Sequence, residues 1–357
     1  MLRVLADENI ANLDDYLLCH QVELIKMAGR AIDRRSLITH QPDALFIRSV
    51  TQVTQENLGD LSNTPLKFIG SATIGIDHID TKYLADHHIN FANASGCSKH
   101  SVAQYVITAI LHAHQSPKTN LRLGIIGLGN IGNTLARYAK RLGWQVFGFD
   151  PFLATDSINN ASLDEILDCD VISIHTPLTK TGSHPTYQML NAQTLAKIRP
   201  KALLINSARG EIIDESALLA AINQKQLSVV LDVFPNEPFI SQQLLYALKL
   251  ATPHIAGYTL EGKIRGTDMI YQAFCQTFNL PILQHFLALL PPNPYHFSML
   301  LNHQNQQPLA WFYDIQADFE ALKAAACPHI LGNQFDMLRK NYHLRREWIF
   351  DEQQFNF

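Results

Sequence analysis

Three glycines lie where an apolar run meets a segment with helical spacing. Gly127, Gly129 and Gly132 follow the apolar residues 123–126, and the segment that they open begins with Asn130 and Ile131. In such a unit the first glycine permits a tight turn, the second lets the backbone approach a pyrophosphate, and the third allows close helix–strand packing. The helix N-terminus adds N–H groups that bind phosphate. The pattern predicts a dinucleotide-binding turn.

An acidic residue completes this unit. A second expected strand, residues 146–149, ends at Asp150, roughly 20 residues beyond the glycines, which is the usual spacing. A carboxylate at that place accepts both ribose hydroxyls and repels a 2′-phosphate, and no Arg or Lys lies between Asp150 and Lys180. The sequence therefore favours NAD over NADP.

Polar and ionisable residues follow the other expected strands: Thr176; Ser207, Ala208 and Arg209; Asp232; Glu237; and His254. Each has an ordinary explanation when it is taken alone, as a surface cation, a loop acid or one of 16 histidines. Ligands of parallel sheets bind beyond the carboxyl ends of the strands. The shared position of these residues predicts one ligand-binding crevice.

Alternating strands and helices would position them. Strands are expected at residues 171–175, 203–206, 229–233 and around Ile255, with helices between them, one at residues 215–224. This alternation predicts a doubly wound parallel sheet of the Rossmann type.

The first 98 residues predict a smaller α/β domain without a nucleotide motif, with strands at residues 2–5, 44–47 and 68–69. The loops at residues 48–51 and 71–80 suit a carboxylate or phosphate, although the residues alone favour ordinary loops. A helix at residues 100–114 leads into the nucleotide unit, and a helix from about Leu260 is expected to cross back. We predict a substrate domain of residues 1–98 plus about 258–284, and an NAD domain of residues 99–257.

The remaining residues, 285–357, combine prolines with many aromatic side chains. So short a segment is too small for a secure core of its own. We expect it to pack on the body of the chain or on a second copy.

Composition excludes several classes. The formal net charge of −4 without a basic block argues against a nucleic-acid partner, and no apolar run is long enough to span a membrane. The opening MLRVLADENI predicts no signal peptide. Five scattered cysteines indicate reduced thiols in the cytoplasm rather than disulfides or a metal site.

The whole chain resembles the D-isomer-specific 2-hydroxyacid dehydrogenases. The stretches that carry this resemblance are DENI, IRSVT, GSATIGIDHID, GCSKHSVAQYV, GIIGLGNIG, HTPLT, INSARGEIID, VVLDVFPNEP and TPHIAGYTLEGKIRGT. The last of these, with FDMLRKNYHLRREW, resembles a narrower branch that carries a C-terminal α+β dimerisation domain. The resemblance implies a flavodoxin-like substrate domain, a Rossmann-type NAD domain and a homodimer through residues 285–357.

The resemblance also implies roles for single residues. Arg209, Glu237 and His254 would be catalytic, and Ser49, Thr73 and Tyr258 would contact the substrate. Contacts with NAD would come from the glycine turn, Asp150, Thr176, residues 207–209, Asp232 and Gly257.

The branch implies NAD-dependent oxidation of 4-phospho-D-erythronate to (R)-3-hydroxy-2-oxo-4-phosphonooxybutanoate in pyridoxal 5′-phosphate (vitamin B6) synthesis. His254 would be the base, and Arg48, Lys99, Lys263 and Arg265 are candidate cations for the substrate phosphate. Two alternatives stay open: another D-2-hydroxyacid dehydrogenase, such as one acting on 3-phosphoglycerate, or an NAD(H)-responsive binding protein.

Overall fold

The computed structural model describes residues 1–114, 120–153, 158–301, 309–326 and 332–350. Labels follow chain order. The strands are β1 Leu2–Asp7, β2 Val22–Met27, β3 Ala44–Ile47, β4 Phe68–Ser71, β5 Asn90–Asn93, β6 Arg122–Ile126, β7 Gln145–Phe149, β8 Asn159–Asn160, β9 Val171–Ile174, β10 Leu203–Asn206, β11 Ser228–Leu231 and β12 Leu250–Ala251.

The α-helices are α1 Leu13–Leu17, α2 Arg34–His40, α3 Gln55–Leu58, α4 Thr81–Asp86, α5 Lys99–His114, α6 Asn130–Arg141, α7 Leu163–Leu167, α8 Ala192–Lys197, α9 Glu215–Lys225, α10 Gln242–Ala247, α11 Leu260–Phe278, α12 Ser298–Leu301, α13 Leu309–Phe312, α14 Ile315–Ala325 and α15 Gly332–Lys340. Short 3₁₀ turns lie at Gly29–Ala31, Gly210–Ile212 and Phe286–Leu289.

The first compact unit comprises Met1–Ser98 and Thr259–Pro292. Its five strands are parallel in the order β2-β1-β3-β4-β5, which is the flavodoxin-like order. The central strands are apolar and fully buried, and α11 packs against β4 and β5. The edge strands β2 and β5 were not predicted, because their half-exposed, polar residues do not form an apolar run.

The second unit comprises Lys99–Tyr258 and Asn293–Phe357. Its seven strands are parallel in the order β12-β11-β10-β9-β6-β7-β8. The strand order reverses between β6 and β9, and a doubly wound sheet opens its ligand crevice at that switch point. The expected parallel Rossmann-type sheet is therefore present.

The C-terminal residues share the core of this second unit. Phe297, Phe312, Phe335 and Trp348 are buried in the same hydrophobic cluster as the strands of the sheet. The rings of Phe297 and Phe350 pack on Tyr138 of α6, with centroid distances of 4.8 and 4.3 Å. These aromatic residues therefore pack on the body of the chain, which is one of the two expected arrangements, and the assignment of residues 285–357 to a separate dimerisation domain stays a prediction. Within the described part of residues 285–357, the strand-like pairing is the isolated β-bridge between His296 and Ile349.

One expected strand was placed wrongly. The last strand is Leu250–Ala251 rather than the segment around Ile255. Pro253 has no N–H to donate to a ladder, and the N–H groups of Ile255 and Ala256 bond the Asp232 carboxylate instead. The chain leaves the sheet at Thr252 for this reason.

The four cysteines of the described residues, Cys19, Cys97, Cys169 and Cys275, form no disulfide with one another, and Cys327 lies outside the described residues. Within those residues no helix combines the length and the apolar character needed to cross a bilayer.

Candidate active site

The glycine turn lies between β6 and α6, at the switch point of the second unit's sheet. Gly127 has φ of +94°, and a Cβ there would lie 2.7 Å from the carbonyl oxygen of His175. A Cβ on Gly132 would lie 2.0 Å from the Gly127 carbonyl oxygen. Gly129 differs from both, because a Cβ would meet no atom within 4 Å. Two glycines are thus required by packing, and the third faces open space at the start of α6.

The Asp150 carboxylate binds the backbone of the glycine turn. Its Oδ2 accepts the N–H of Leu128 at 2.9 Å, and its Oδ1 accepts the N–H groups of Phe152 at 2.9 Å and Leu153 at 3.2 Å. The carboxylate is half-buried. It lies beside the open space at Gly129, where the adenosine ribose of a dinucleotide would need an acceptor.

Buried polar atoms without partners fit this interpretation. The hydroxyl oxygens of Thr176 and Ser207 and the Nδ1 of His175 are buried with no hydrogen-bond partner among the described residues. All three follow β9 or β10. A buried, unpaired polar group is costly unless a ligand satisfies it. Together with the open space at Gly129, these atoms fit the hydroxyls and amide of NAD.

His175 was missed as a site residue in the sequence. Its Nε2 lies 2.8 Å from the Ser173 hydroxyl, and burial lowers the pKa of His175 to about 3. The ring is therefore neutral at working pH. It offers hydrogen bonds to a ligand rather than a positive charge.

His254 and Glu237 form a hydrogen-bonded pair on loops that follow β12 and β11. The His254 Nδ1 lies 2.8 Å from the Glu237 Oε2, and the Glu237 Oε1 accepts the Phe234 N–H at 2.8 Å. Burial alone would raise the pKa of the Glu237 carboxyl, but the neighbouring His254 and the two hydrogen bonds lower it. With a carboxylate at Nδ1, the neutral ring carries its proton there, and Nε2 holds the lone pair.

The loop that carries Arg209 packs directly on the loop that leads to Glu237. It follows β10, which lies beside β11, and the Asn206 side chain donates to the Arg209 carbonyl at 2.8 Å. A Cβ on Gly210 would lie 2.0 Å from the backbone carbon of Phe234. Sequence reasoning missed this role of Gly210, although a glycine directly after a strand-end arginine was the available signal.

Asp232 directly follows β11, and its carboxylate binds the loop after β12 that carries His254. Its Oδ1 accepts the Thr252 hydroxyl at 2.6 Å and the Ile255 N–H at 2.8 Å, and its Oδ2 accepts the Ala256 N–H at 2.9 Å. The residue is 1% exposed. Its predicted contact with NAD stays a prediction, since the structure uses these oxygens to hold the loop.

The buried position of Asp232 makes the stability of the protein depend on pH. Burial raises the pKa of the Asp232 carboxyl to about 6, against the opposing effects of His254, the Thr252 hydroxyl and two N–H groups. The folded state thus keeps a proton that the unfolded chain releases near pH 3.9. The stability from this group is complete below the unfolded value and is lost as pH rises through about 6.

We therefore expect the free energy of unfolding of the native protein, relative to that of Asp232→Asn, to be about 2 kcal/mol larger at about pH 4.5 than at about pH 7. Urea unfolding of both proteins at the two pH values measures this difference. A difference that does not change with pH would contradict the raised pKa.

The remaining predicted site residues are divided between the second unit and the first. Asn130 and Ile131 begin α6, and Gly257 precedes Tyr258, whose ring packs edge-on against Tyr342 at 6.1 Å. In the first unit Ser49 lies in the turn after β3, and the Thr73 hydroxyl donates to the Gly75 carbonyl at 2.9 Å.

Two of the candidate phosphate-binding cations are engaged within the first unit. Arg265 is fully buried and donates to the Cys97 carbonyl at 2.5 Å, with its guanidinium 5.0 Å from the centre of the Phe286 ring. This guanidinium thus has partners inside the fold, and a role of Arg265 in binding the substrate phosphate stays a prediction. Arg48 pairs with the buried Asp7 at 2.9 Å, and 29% of its side chain stays exposed.

Comparison with known proteins identifies relatives over nearly the whole chain. Residues 102–256 match the model of the D-isomer specific 2-hydroxyacid dehydrogenase, NAD binding domain. The chain is 51% identical over 379 residues to erythronate-4-phosphate dehydrogenase of Psychrobacter sp. (strain PRwf-1), covering 98% of this chain and 100% of that one. It is 45% identical over 353 residues to the enzyme of the same name from Acinetobacter baumannii (strain AYE), covering 97% and 98%.

Solved structures show the same fold. NAD-dependent formate dehydrogenase from Staphylococcus aureus, in complex with NAD, has a TM-score of 0.62 at 23% identity, covering 78% of this chain and 96% of that one. NAD⁺-bound 3-phosphoglycerate dehydrogenase in Entamoeba histolytica has a TM-score of 0.64 at 24% identity, covering 78% and 95%. The sequence relatives set the narrower assignment: this chain belongs to the erythronate-4-phosphate dehydrogenase family, a branch of the D-isomer specific 2-hydroxyacid dehydrogenases.

Proposed function

We propose that the protein oxidises 4-phospho-D-erythronate at C2 with NAD, giving (R)-3-hydroxy-2-oxo-4-phosphonooxybutanoate for pyridoxal 5′-phosphate synthesis. The relatives of that name support the choice of substrate. The observation that carries the chemistry is the 2.8 Å contact between His254 and Glu237, beside the loop of Arg209. NAD is the cofactor, and when bound it would supply the nicotinamide acceptor for the hydride from C2.

His254 is the proposed general base. Oxidation of a secondary alcohol removes a hydride from carbon and a proton from the hydroxyl oxygen. The Nε2 of His254 holds the lone pair that takes this proton, because Nδ1 is engaged by Glu237. The Glu237 carboxylate then stabilises the imidazolium. Its lowered pKa keeps it ionised over the neutral range.

Arg209 is the proposed anchor for the substrate carboxylate. A guanidinium binds a carboxylate through two parallel N–H groups and polarises the carbonyl that forms at C2, which a lysine does less well. The side chain is half-buried, and its Nη1 donates to the Ala208 carbonyl at 2.8 Å, which restricts its orientation. Ser49, Thr73 and Tyr258 are proposed to bind the substrate through their hydroxyls.

The direct test is NADH formation from 4-phosphoerythronate, measured beside 3-phosphoglycerate, D-glycerate and D-lactate. We expect the highest kcat/KM for 4-phosphoerythronate. A preference for 3-phosphoglycerate would indicate a different dehydrogenase. NADH binding without turnover of any of the four acids would indicate a binding protein.

Cofactor choice is expected to depend on Asp150. Asp150→Ala removes the carboxylate that lies beside the glycine turn, so KM for NAD should rise on the order of tenfold or more, and discrimination against NADP should weaken. Asp168→Ala is the matched control, because Asp168 is an exposed acid of the same unit that pairs with Arg122. Steady-state kinetics with both cofactors measure the effect. Unchanged preference in Asp150→Ala would refute the assignment.

We also propose that the protein works in the cytoplasm as a homodimer that associates through its C-terminal residues. The exposed Met337 and the groove lined by Ala317, Ala325, Leu338 and Tyr342 supply apolar surface for such a contact. Light scattering of the full chain in solution tests this assembly, and a monomer at micromolar concentration would contradict it.

A further inference from the structure

A buried arginine near the C-terminus contacts the loop that follows His254. Arg345 is 8% exposed, and its Nη1 donates to the carbonyls of Ile255 at 2.9 Å and Tyr258 at 3.3 Å. Its Nη2 donates to the Ala256 carbonyl. One guanidinium thereby satisfies carbonyls of three of the four residues after His254.

A carboxylate holds the opposite polar groups of the same loop. Asp232 accepts the N–H groups of Ile255 and Ala256, while Arg345 donates to the carbonyls of these two residues. His254 precedes them with φ of +56°, a conformation that a residue with a side chain adopts only when its surroundings hold it. The position of the His254 ring therefore depends on both charged groups.

Arg345 is itself held firmly. Its guanidinium carbon lies 4.5 Å from the centre of the Tyr313 ring, and the hydroxyls of Tyr313 and Tyr342 both donate to the Asp318 carboxylate, at 2.7 and 3.0 Å. The guanidinium also donates to the Tyr342 hydroxyl at 3.4 Å. A movement of Arg345 would disturb this whole network.

The segment around Arg345 is anchored on α5. The Ser101 hydroxyl donates to the buried Glu347 carboxylate at 2.8 Å, and the Gln104 amide donates to the Arg346 carbonyl at 3.1 Å. Burial of a charged group is costly, and apolar residues of similar volume often stabilise a fold as well or better. A contribution to stability alone therefore does not explain why this buried residue is an arginine. The need to bind the three loop carbonyls does explain it.

We propose that Arg345 is a positioning residue for the reaction, which sets the place of the His254 ring through the loop carbonyls. The proposal rests on the proposed role of His254 as the base. In this proposal the C-terminal segment positions a catalytic loop of its own chain, in addition to the proposed association with another copy.

The test compares Arg345→Lys and Arg345→Ala with Trp348→Phe. Lys offers donors from a single point and cannot reach all three carbonyls, so kcat should fall on the order of 10²-fold, as expected for a misplaced catalytic group. Most of the loss should appear in kcat rather than in KM. Trp348 is buried in the same segment and packs on Tyr138, Phe297 and Phe312. Trp348→Phe should lower Tm but leave kcat unchanged.

Chemical rescue separates positioning from folding. Guanidinium chloride at non-denaturing concentration should restore kcat of Arg345→Ala, and sodium chloride at equal ionic strength should not. A native kcat in Arg345→Lys, or an equal loss of kcat in Trp348→Phe, would overturn the proposal. If Arg345→Ala does not fold, Arg345→Lys and Trp348→Phe still decide the question.

A double variant separates this proposal from the proposed function. If Arg345 acts through His254, Arg345→Lys should cause little further loss of kcat in a His254→Ala background. A full further loss there would refute the role of Arg345 while His254 stays the base. A native kcat in His254→Ala alone would instead refute the proposed function.

Discussion

Replacement of His254 by alanine is expected to lower kcat by about 10²–10⁴-fold, the usual contribution of a general base. In the native protein Glu237 holds the imidazole ring by the 2.8 Å contact between its Oε2 and the His254 Nδ1. Without the ring, the substrate hydroxyl has no acceptor for its proton. NAD should still bind, because the glycine turn and Asp150 are on distant strands of the sheet. Steady-state oxidation of 4-phosphoerythronate and fluorescence titration with NADH measure the two effects.

Two further variants serve as comparisons for the loss of kcat in His254→Ala. His296→Ala changes an exposed histidine of the same unit and should keep native kcat. Glu237→Gln keeps the Nε2 of His254 but removes the charge that stabilises the imidazolium, so its loss should be smaller than that of His254→Ala. Full activity in His254→Ala would exclude this histidine as the base.

The substitution Gly210→Ala is expected to destabilise the second unit by about 3 kcal/mol or more, the upper range for overpacking. The new Cβ would lie 2.0 Å from the Phe234 backbone carbon and 2.4 Å from the Pro235 nitrogen. Neither backbone atom moves away without displacing the loop of Glu237. Both Tm and kcat should therefore fall, and calorimetry with kinetics on the soluble protein measures them.

The matched substitution is Gly129→Ala. A Cβ there meets no atom within 4 Å, and φ of −69° suits alanine, so the fold should keep its native Tm. The methyl group would nevertheless occupy the space that a pyrophosphate needs, and KM for NAD should rise. A native Tm in Gly210→Ala would show that the two loops are not in close contact, and unchanged NAD binding in Gly129→Ala would place the pyrophosphate elsewhere.

The sequence alone determined those features that depend on neighbouring residues. The glycine turn, the helix after it and Asp150 follow from local rules of turn geometry and periodicity, and the structure has them at β6, α6 and the end of β7. It also predicted that Arg209, Glu237 and His254 gather at one edge, because parallel strands end at the same edge of a sheet. No local rule, however, gives the 2.8 Å contact between His254 and Glu237.

Only the tertiary structure decided which buried polar groups meet. Asp232 and Arg345 are far apart in the chain, and each looks like an ordinary charged residue in its own sequence context. Their partners are backbone groups of residues 255–258, which became available because Pro253 ends the ladder of β12. In the first unit, the burial of Arg265 depends in the same way on the Cys97 carbonyl and the Phe286 ring. Hydrogen bonds between residues distant in sequence carry no periodic signal, so packing of the complete chain was needed to reveal them.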